Sequence, residues 1–267
     1  MPMVAKGNRG ETFQFHSLCG VLAINLTGSE TVKSVSFSGR DASGNQIPVA
    51  GSFYVMMDYE TYPEMFLRQD DPATNTSITT ITLDCGEGVQ INPSEPTPFY
   101  IVLPVCTYNE FSVVVATTDG KLMLKESKKP LTIKRANVTK TSALAYVADV
   151  AVDLSEIGHS NCYIVPEPGL YSFDADVIGN GDHGLVENAN FHTTNTSIEP
   201  DSAELLWEDK TGVISGLTFD GKMISFVSTG VEGNALVAVK DKHQNIIWSW
   251  HIWATDQPQE QVYVNDK

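Results

Sequence analysis

The sequence predicts an all-β protein made of two modules in tandem, with very little helix. Short runs rich in Val, Ile, Phe, Tyr and Thr recur along nearly the whole chain, cut by Gly, Asn, Asp and Pro. Two pairs of these runs meet across Asp-Gly, a dipeptide that tolerates the positive φ angles of a tight hairpin turn. A basic, polar seam at residues 125–142, KESKKPLTIKRANVTKTS, divides the 267 residues into two lengths suited to ordinary domains of roughly 100–150 residues. A hydrophobic content of 42% is ample for buried cores, and 19% charged residues is modest, so the chain is globular.

The expected strands of the first module begin at residues 21–27, 32–38, 52–56, 77–84 and 99–103. The clearest unit is residues 111–125, FSVVVATTDGKLMLK, two alternating strands around Asp119-Gly120. Residues 131–134 read as the last strand of this module, with a linker after it, which sets the modules at 1–141 and 142–267. In the second module, residues 217–227 (LTFDGKMISFV) turn at Asp220-Gly221, and a looser hairpin joins 235–240 to 246–253 through DKHQN. The best helical candidate is residues 143–154, where Leu144, Val147, Ala151 and Leu154 fit a 3.6-residue period. Its later half also alternates, and its β-branched content favours a strand. Residues 179–198 form a long loop-like excursion.

Charge narrows the function classes. Seventeen Lys and Arg against 33 Asp and Glu leave a net charge of −16, spread along the whole length. Phosphate backbones repel such a polyanion, so nucleic acid is not an expected partner. No stretch reaches the roughly 20 apolar residues of a membrane span. The opening residues lack the basic-then-apolar pattern of a secretory signal, which fits a cytosolic protein, a mature form or a fragment.

Motifs for chemistry are absent. Cys19, Cys85, Cys106 and Cys162 have no CxxC or metal-site spacing; they read as buried free thiols, with a disulfide pair left open. None of His16, His159, His183, His192, His243 and His251 stands two or four residues from another. His183 and His192, near Asp182 and Glu187, read as part of a solvated loop rather than a zinc or calcium site. Asp174 and Asp176 near Asn180 lack the spacing and terminal Glu of a calcium loop. Acidic pairs such as Glu60 with Glu64, or Asp70 with Asp71, are expected by chance among 33 carboxylates. Neither a GxSxG elbow nor a phosphate-cradling loop nor HExxH occurs. The expectation is a protein that is not an enzyme, with no catalytic residues, no metal and no cofactor.

The aromatic residues offer more. In IIWSWHIW, an extended strand places Trp248, Trp250 and Ile252 on one face, with Ile247, Ser249, His251 and Trp253 on the other. Trp248, Trp250 and Trp253 are therefore candidate aromatic contacts for stacking sugar rings, set against a competing role in closing the core. A run so apolar on both faces favours the core.

The blocks AVDLSEIGHSNCYIVPEPGLYSFDADVIGNG, IEPDSAELLWED and GNALVAVKDKHQNIIWSWHIWATD, in that order and spacing, resemble the C-terminal module of fimbrillin-like surface proteins of Bacteroides-type bacteria. More loosely, MPMVA, FQFHSLCGVLAINLTG, PFYIVLPVCTYNEFSVVVATTDGK and LTIKR resemble later strands of the N-terminal module of that family. The resemblance implies two β-sandwich modules of Greek-key, transthyretin-like type, export to the outer surface, and a fimbrial (pilus) subunit, tip protein or anchored adhesin. Its implied partners are other fimbrial subunits or host and bacterial surface ligands, protein or glycan, with a membrane reached only through a lipid anchor outside this chain. It also implies that early strands of the first module precede Met1. A sandwich short of strands offers edges for strand addition. The segment Gln261, Val262, Tyr263 and Val264 is the candidate donor strand, against the plainer reading of an ordinary terminal strand or frayed end. A carbohydrate-binding surface module using exposed Trp and Tyr is the alternative function.

Overall fold

The computed structural model describes residues 1–57, 63–67, 78–156, 158–178 and 196–256. These are all-β: no helix occurs among them, and so none long and apolar enough to cross a membrane. The chain divides into two compact units, Met1–Asp149 and Val150–Lys267.

In the first unit the principal strands are β1 (Cys19–Thr27), β2 (Thr31–Arg40), β3 (Thr80–Gln90), β4 (Thr97–Pro104), β5 (Glu110–Thr117), β6 (Leu122–Ser127), β7 (Val138–Lys140) and β8 (Leu144–Ala145). One sheet runs β6-β5-β2-β3, all antiparallel; in the other, β1 pairs antiparallel with β4 and parallel with β7 and β8. Alternation dictates the packing, because successive side chains on a strand point to opposite faces. Leu22, Ile24 and Leu26 of β1 meet Val35 and Phe37 of β2, with Phe99, Ile101, Val113, Val115 and Met123 in the same buried cluster. Tyr108 packs edge-on against Phe37 at 5.1 Å and lies over Gly39, where any Cβ would collide with its ring. The expected turn at Asp119-Gly120 joins β5 to β6, with Gly120 at φ 82° and the Thr117 N–H donating to the Lys121 carbonyl. Smaller ribbons pair Met3–Val4 with His16–Ser17, Phe53–Met56 with Glu64–Leu67, and Thr107–Tyr108 with Leu131–Thr132.

The expected linker after residue 134 is instead structural. Val138–Lys140 and Leu144–Ala145 run parallel to β1 along one edge, and Tyr146 is buried in the core. The division therefore falls at Asp149/Val150, later than 141/142. A polar, basic composition masked these strands because they lie at a sheet edge, half in solvent. The helical candidate at residues 143–154 is not a helix; both its ends are short parallel strands, and Val150 between them is 94% exposed.

In the second unit the strands are β9 (Val152–Asp153), β10 (Cys162–Val165), β11 (Gly169–Asp174), β12 (Ser202–Glu208), β13 (Ile214–Phe219), β14 (Met223–Ser228), β15 (Gly233–Lys240) and β16 (Ile246–Ala254). The sheets run β9-β11-β14-β13 and β10-β16-β15-β12, with β9 on β11 and β10 on β16 parallel. Their shared core holds Tyr163, Phe173, Phe226, Val237, Trp250 and Ile252. Phe173 is its hub, with ring centroids 5.0 Å from Tyr163 and 5.1 Å from Trp250. The predicted hairpin at Asp220-Gly221 joins β13 to β14, and DKHQN joins β15 to β16. Of the expected excursion at 179–198, residues 179–195 lie outside the described residues, while Thr196–Ser197 pairs with Val177–Ile178.

Candidate functional site

The sheet β10-β16-β15-β12 has one face on the core and one turned outward. Along β16, Trp250, Ile252 and Ala254 are buried, so Ser249, His251 and Trp253 project from the other side. The three tryptophans thus part company. Trp250, 1% exposed, belongs to the core and cannot stack on a ligand; Trp248 is partly buried against that core; Trp253 is 39% exposed on the outer face. A register shift between Leu205 and Trp207 turns Trp207 outward opposite Leu236, and it is 53% exposed. Sequence reasoning passed over Trp207, because simple alternation does not reveal a bulge.

The same face carries a chain of polar contacts across the sheet. The register pairs Cys162 with His251 and Leu236 with His251. The Cys162 Sγ lies 3.2 Å from His251 Nδ1, and His251 Nε2 lies 2.8 Å from Asn234 Oδ1. Asn234 in turn donates from Nδ2 to Asp209 Oδ2 at 2.6 Å and from its backbone N–H to Asp209 Oδ1 at 2.8 Å. Those two bonds hold the Asp209 carboxyl below the usual carboxylate range. Beside it, Glu208 turns inward and accepts the backbone N–H groups of Gly212 and Ile214 at 2.9 and 2.8 Å; burial pushes its pKa up against the pull of those bonds.

All four cysteines are free. Cys19 is buried as expected, and Cys85 and Cys106 are half-buried, but Cys162 is exposed, because its position on β10 has outward parity. Burial pushes the thiols of Cys19, Cys85 and Cys106 up, as the partial cover on Cys162 does for its own. The Cys162 cluster left no mark in the sequence: its members stand 89 and 17 residues apart and meet only through strand register.

The remaining candidates are dispersed. His159 Nε2 sits 3.3 Å from Asp174 Oδ2, and Lys222 Nζ 3.3 Å from Asp174 Oδ1, a local ion cluster. His183, His192, Asp182, Glu187, Asn180, Glu60, Asp70, Asp71 and the segment Gln261, Val262, Tyr263 and Val264 lie outside the described residues. Among the described residues, no group of three or more His, Cys, Asp or Glu is placed to hold a metal ion. A cleft in the second unit, at the ends of β10, β14 and β16, has Glu167, Glu232 and Asp256 as its ionisable side chains, with no imidazole or thiol beside them.

No family model matches the chain, and no curated protein matches it.

Proposed function

We propose that the chain is a non-enzymatic structural or adhesive protein of the cell surface, a fimbrial subunit, tip protein or anchored adhesin assembling by β-strand addition. The observation that supports this most is the edge strand β12. It ends its sheet with no strand on its far side among the described residues, yet carries Leu205 and Trp207 exposed. An edge strand with large apolar side chains in solvent is a template for another strand unless something covers it. An edge strand of this kind suits a subunit that is recognised along its backbone rather than in a pocket. Surface location and fimbrial kinship rest on the ordered DLS…NCYIV, SAELLW and WSWHIW blocks. Carbohydrate binding is the second reading, favoured by Trp207 and Trp253, which open on one outer face.

The test is strand supply. A synthetic peptide of residues 257–267 is added to a chain ending at Asp256, and melting temperature and size-exclusion mass are followed. Strand addition expects the peptide to raise the melting temperature by several degrees, and the full chain to form oligomers that the shortened chain does not. Identical melting and a monomer in both chains, with and without peptide, would remove the assembly reading.

A further inference from the structure

We propose that Cys162, His251, Asn234 and Asp209 form a directed proton relay that makes Cys162 an exchange-competent nucleophile, able to capture a disulfide-bearing partner covalently.

Each link has one permitted direction. Asp209 is held ionised by its two bonds from Asn234 and can only accept. It therefore fixes the Asn234 amide with Nδ2 toward itself and Oδ1 toward His251, which removes the usual ambiguity of an amide's orientation. Amide Oδ1 is an acceptor only, so His251 Nε2 carries the hydrogen at 2.8 Å. In the neutral ring Nδ1 is then the bare nitrogen, and it faces Cys162 Sγ at 3.2 Å as an acceptor for the thiol proton. A base within reach of a nucleophile and oriented by a third group is the arrangement that activates side-chain nucleophiles. The four residues come from, or just beyond, all four strands of one sheet, so the relay sits on a rigid surface.

The surroundings choose the reaction. Attack on a carbonyl needs donors for the developing oxyanion, whereas Cys162 has Ile164 and Trp253 on the same face, apolar and partly exposed. Attack on a disulfide sulfur needs only a thiolate and access. Cys162 is exposed, lies on an edge strand, and has no second cysteine within its own unit, since Cys19, Cys85 and Cys106 all belong to the first. The step balances without an outside oxidant. The thiol proton passes to His251 Nδ1, and the thiolate attacks one sulfur of R–S–S–R. The incoming S–S bond breaks as Cys162–S–S–R forms, and the departing RS⁻ takes the proton back from His251 to leave as RSH. His251 touches the reacting sulfur; Asn234 and Asp209 are positioning residues. The product is a stoichiometric tether, which goes beyond the adhesive reading and stands whether or not that reading does.

Oxidised glutathione is the probe. The folded full-length chain is incubated with it at pH 7, and the mixed disulfide at each cysteine is quantified by peptide mass spectrometry, with Cys162→Ser as the site control. The expected result is modification concentrated at Cys162, slowed roughly tenfold or more by His251→Ala and less by Asn234→Ala. Iodoacetamide alkylation at pH 7 gives a second readout. Partial cover pushes the Cys162 thiol up, so the relay acts by taking the proton during attack. At pH 7 Cys162 should react faster in the native protein than in concentrated urea, and Asn234→Ala should lower that native rate. The urea comparison needs no variant, so a misfolded substitution leaves the question answerable. Equal rates in wild type and His251→Ala, or a native Cys162 rate at pH 7 no higher than the rate in urea, would overturn the relay.

Discussion

Glu208 shows at the scale of one residue how the fold spends a charge. Its carboxylate ties the turn between β12 and β13 through the N–H groups of Gly212 and Ile214, but it does so under cover, and burial raises its pKa. The sign of the pH effect follows. In the unfolded chain the group ionises near its ordinary value of about 4.3. In the folded protein it holds its proton to higher pH. Across that window the native state binds more protons than the unfolded one, so this group's contribution to stability falls as pH rises and levels off above the folded value. Asp41, Asp119, Asp209 and Asp241, whose pKa values are lowered, act in the opposite sense and obscure the effect in any single curve. They cancel in a comparison with Glu208→Gln. The expected outcome is that wild type and variant have similar urea midpoints near pH 4, and that wild type falls behind as pH rises toward 7. A difference that stays flat across this range would mean the carboxylate is not held up by burial.

At the scale of elements, the two units share a hairpin device. Asp41 and Asp241 each accept with Oδ1 the backbone N–H groups two and four residues on, and with Oδ2 the amide of Asn45 or Asn245. The fourth loop residue has positive φ in both: Gly44 at 84° and Gln244 at 65°. Left-handed backbone costs a non-glycine residue roughly 1 kcal/mol, and the space around Gly44 is open, so the difference between the loops is conformational rather than steric. Gln244→Gly should therefore stabilise the second unit by about 0.5–1 kcal/mol, while Gly44→Ala should destabilise the first by a similar amount. Chemical denaturation of the two single variants checks both signs. The hairpins at Asp119-Gly120 and Asp220-Gly221 were legible in the sequence because turn chemistry is local. So was the facing of Trp248, Trp250 and Trp253, which follows from alternation alone. The outward turn of Trp207 was not, because it depends on a register shift. Nor was the Cys162–His251–Asn234–Asp209 row, because nothing in a linear sequence records which strands lie side by side.

For the molecule as a whole, the place where one unit ends is itself a testable physical statement. Residues 138–142 read as the end of a basic linker and 143–149 as the start of the second module, but all are laced into the first sandwich. The Asn25 side chain donates to the Thr141 carbonyl at 2.8 Å, and the Asn25 backbone N–H donates to Thr141 Oγ1 at 3.0 Å. Tyr146 donates its backbone N–H to the Thr27 carbonyl at 2.7 Å and buries its ring. Asp149 closes the segment by accepting the Leu124 N–H at 2.7 Å and donating to the Leu122 carbonyl at 2.9 Å. A chain of residues 1–141 loses β8, the Tyr146 ring and both Asp149 contacts, and it uncovers the end of β1. Removing a buried aromatic alone costs about 3–5 kcal/mol, a large share of the roughly 5–15 kcal/mol that holds a domain together. A chain of residues 1–149 loses none of these. The longer fragment should unfold cooperatively in urea, and the shorter one should be at least about 3 kcal/mol weaker or fail to fold. The complementary fragment 150–267 keeps β9, whose parallel pairing with β11 begins at Val152, and it should fold alone. Equal urea midpoints for 1–141 and 1–149 would mean that residues 142–149 add nothing to the first sandwich.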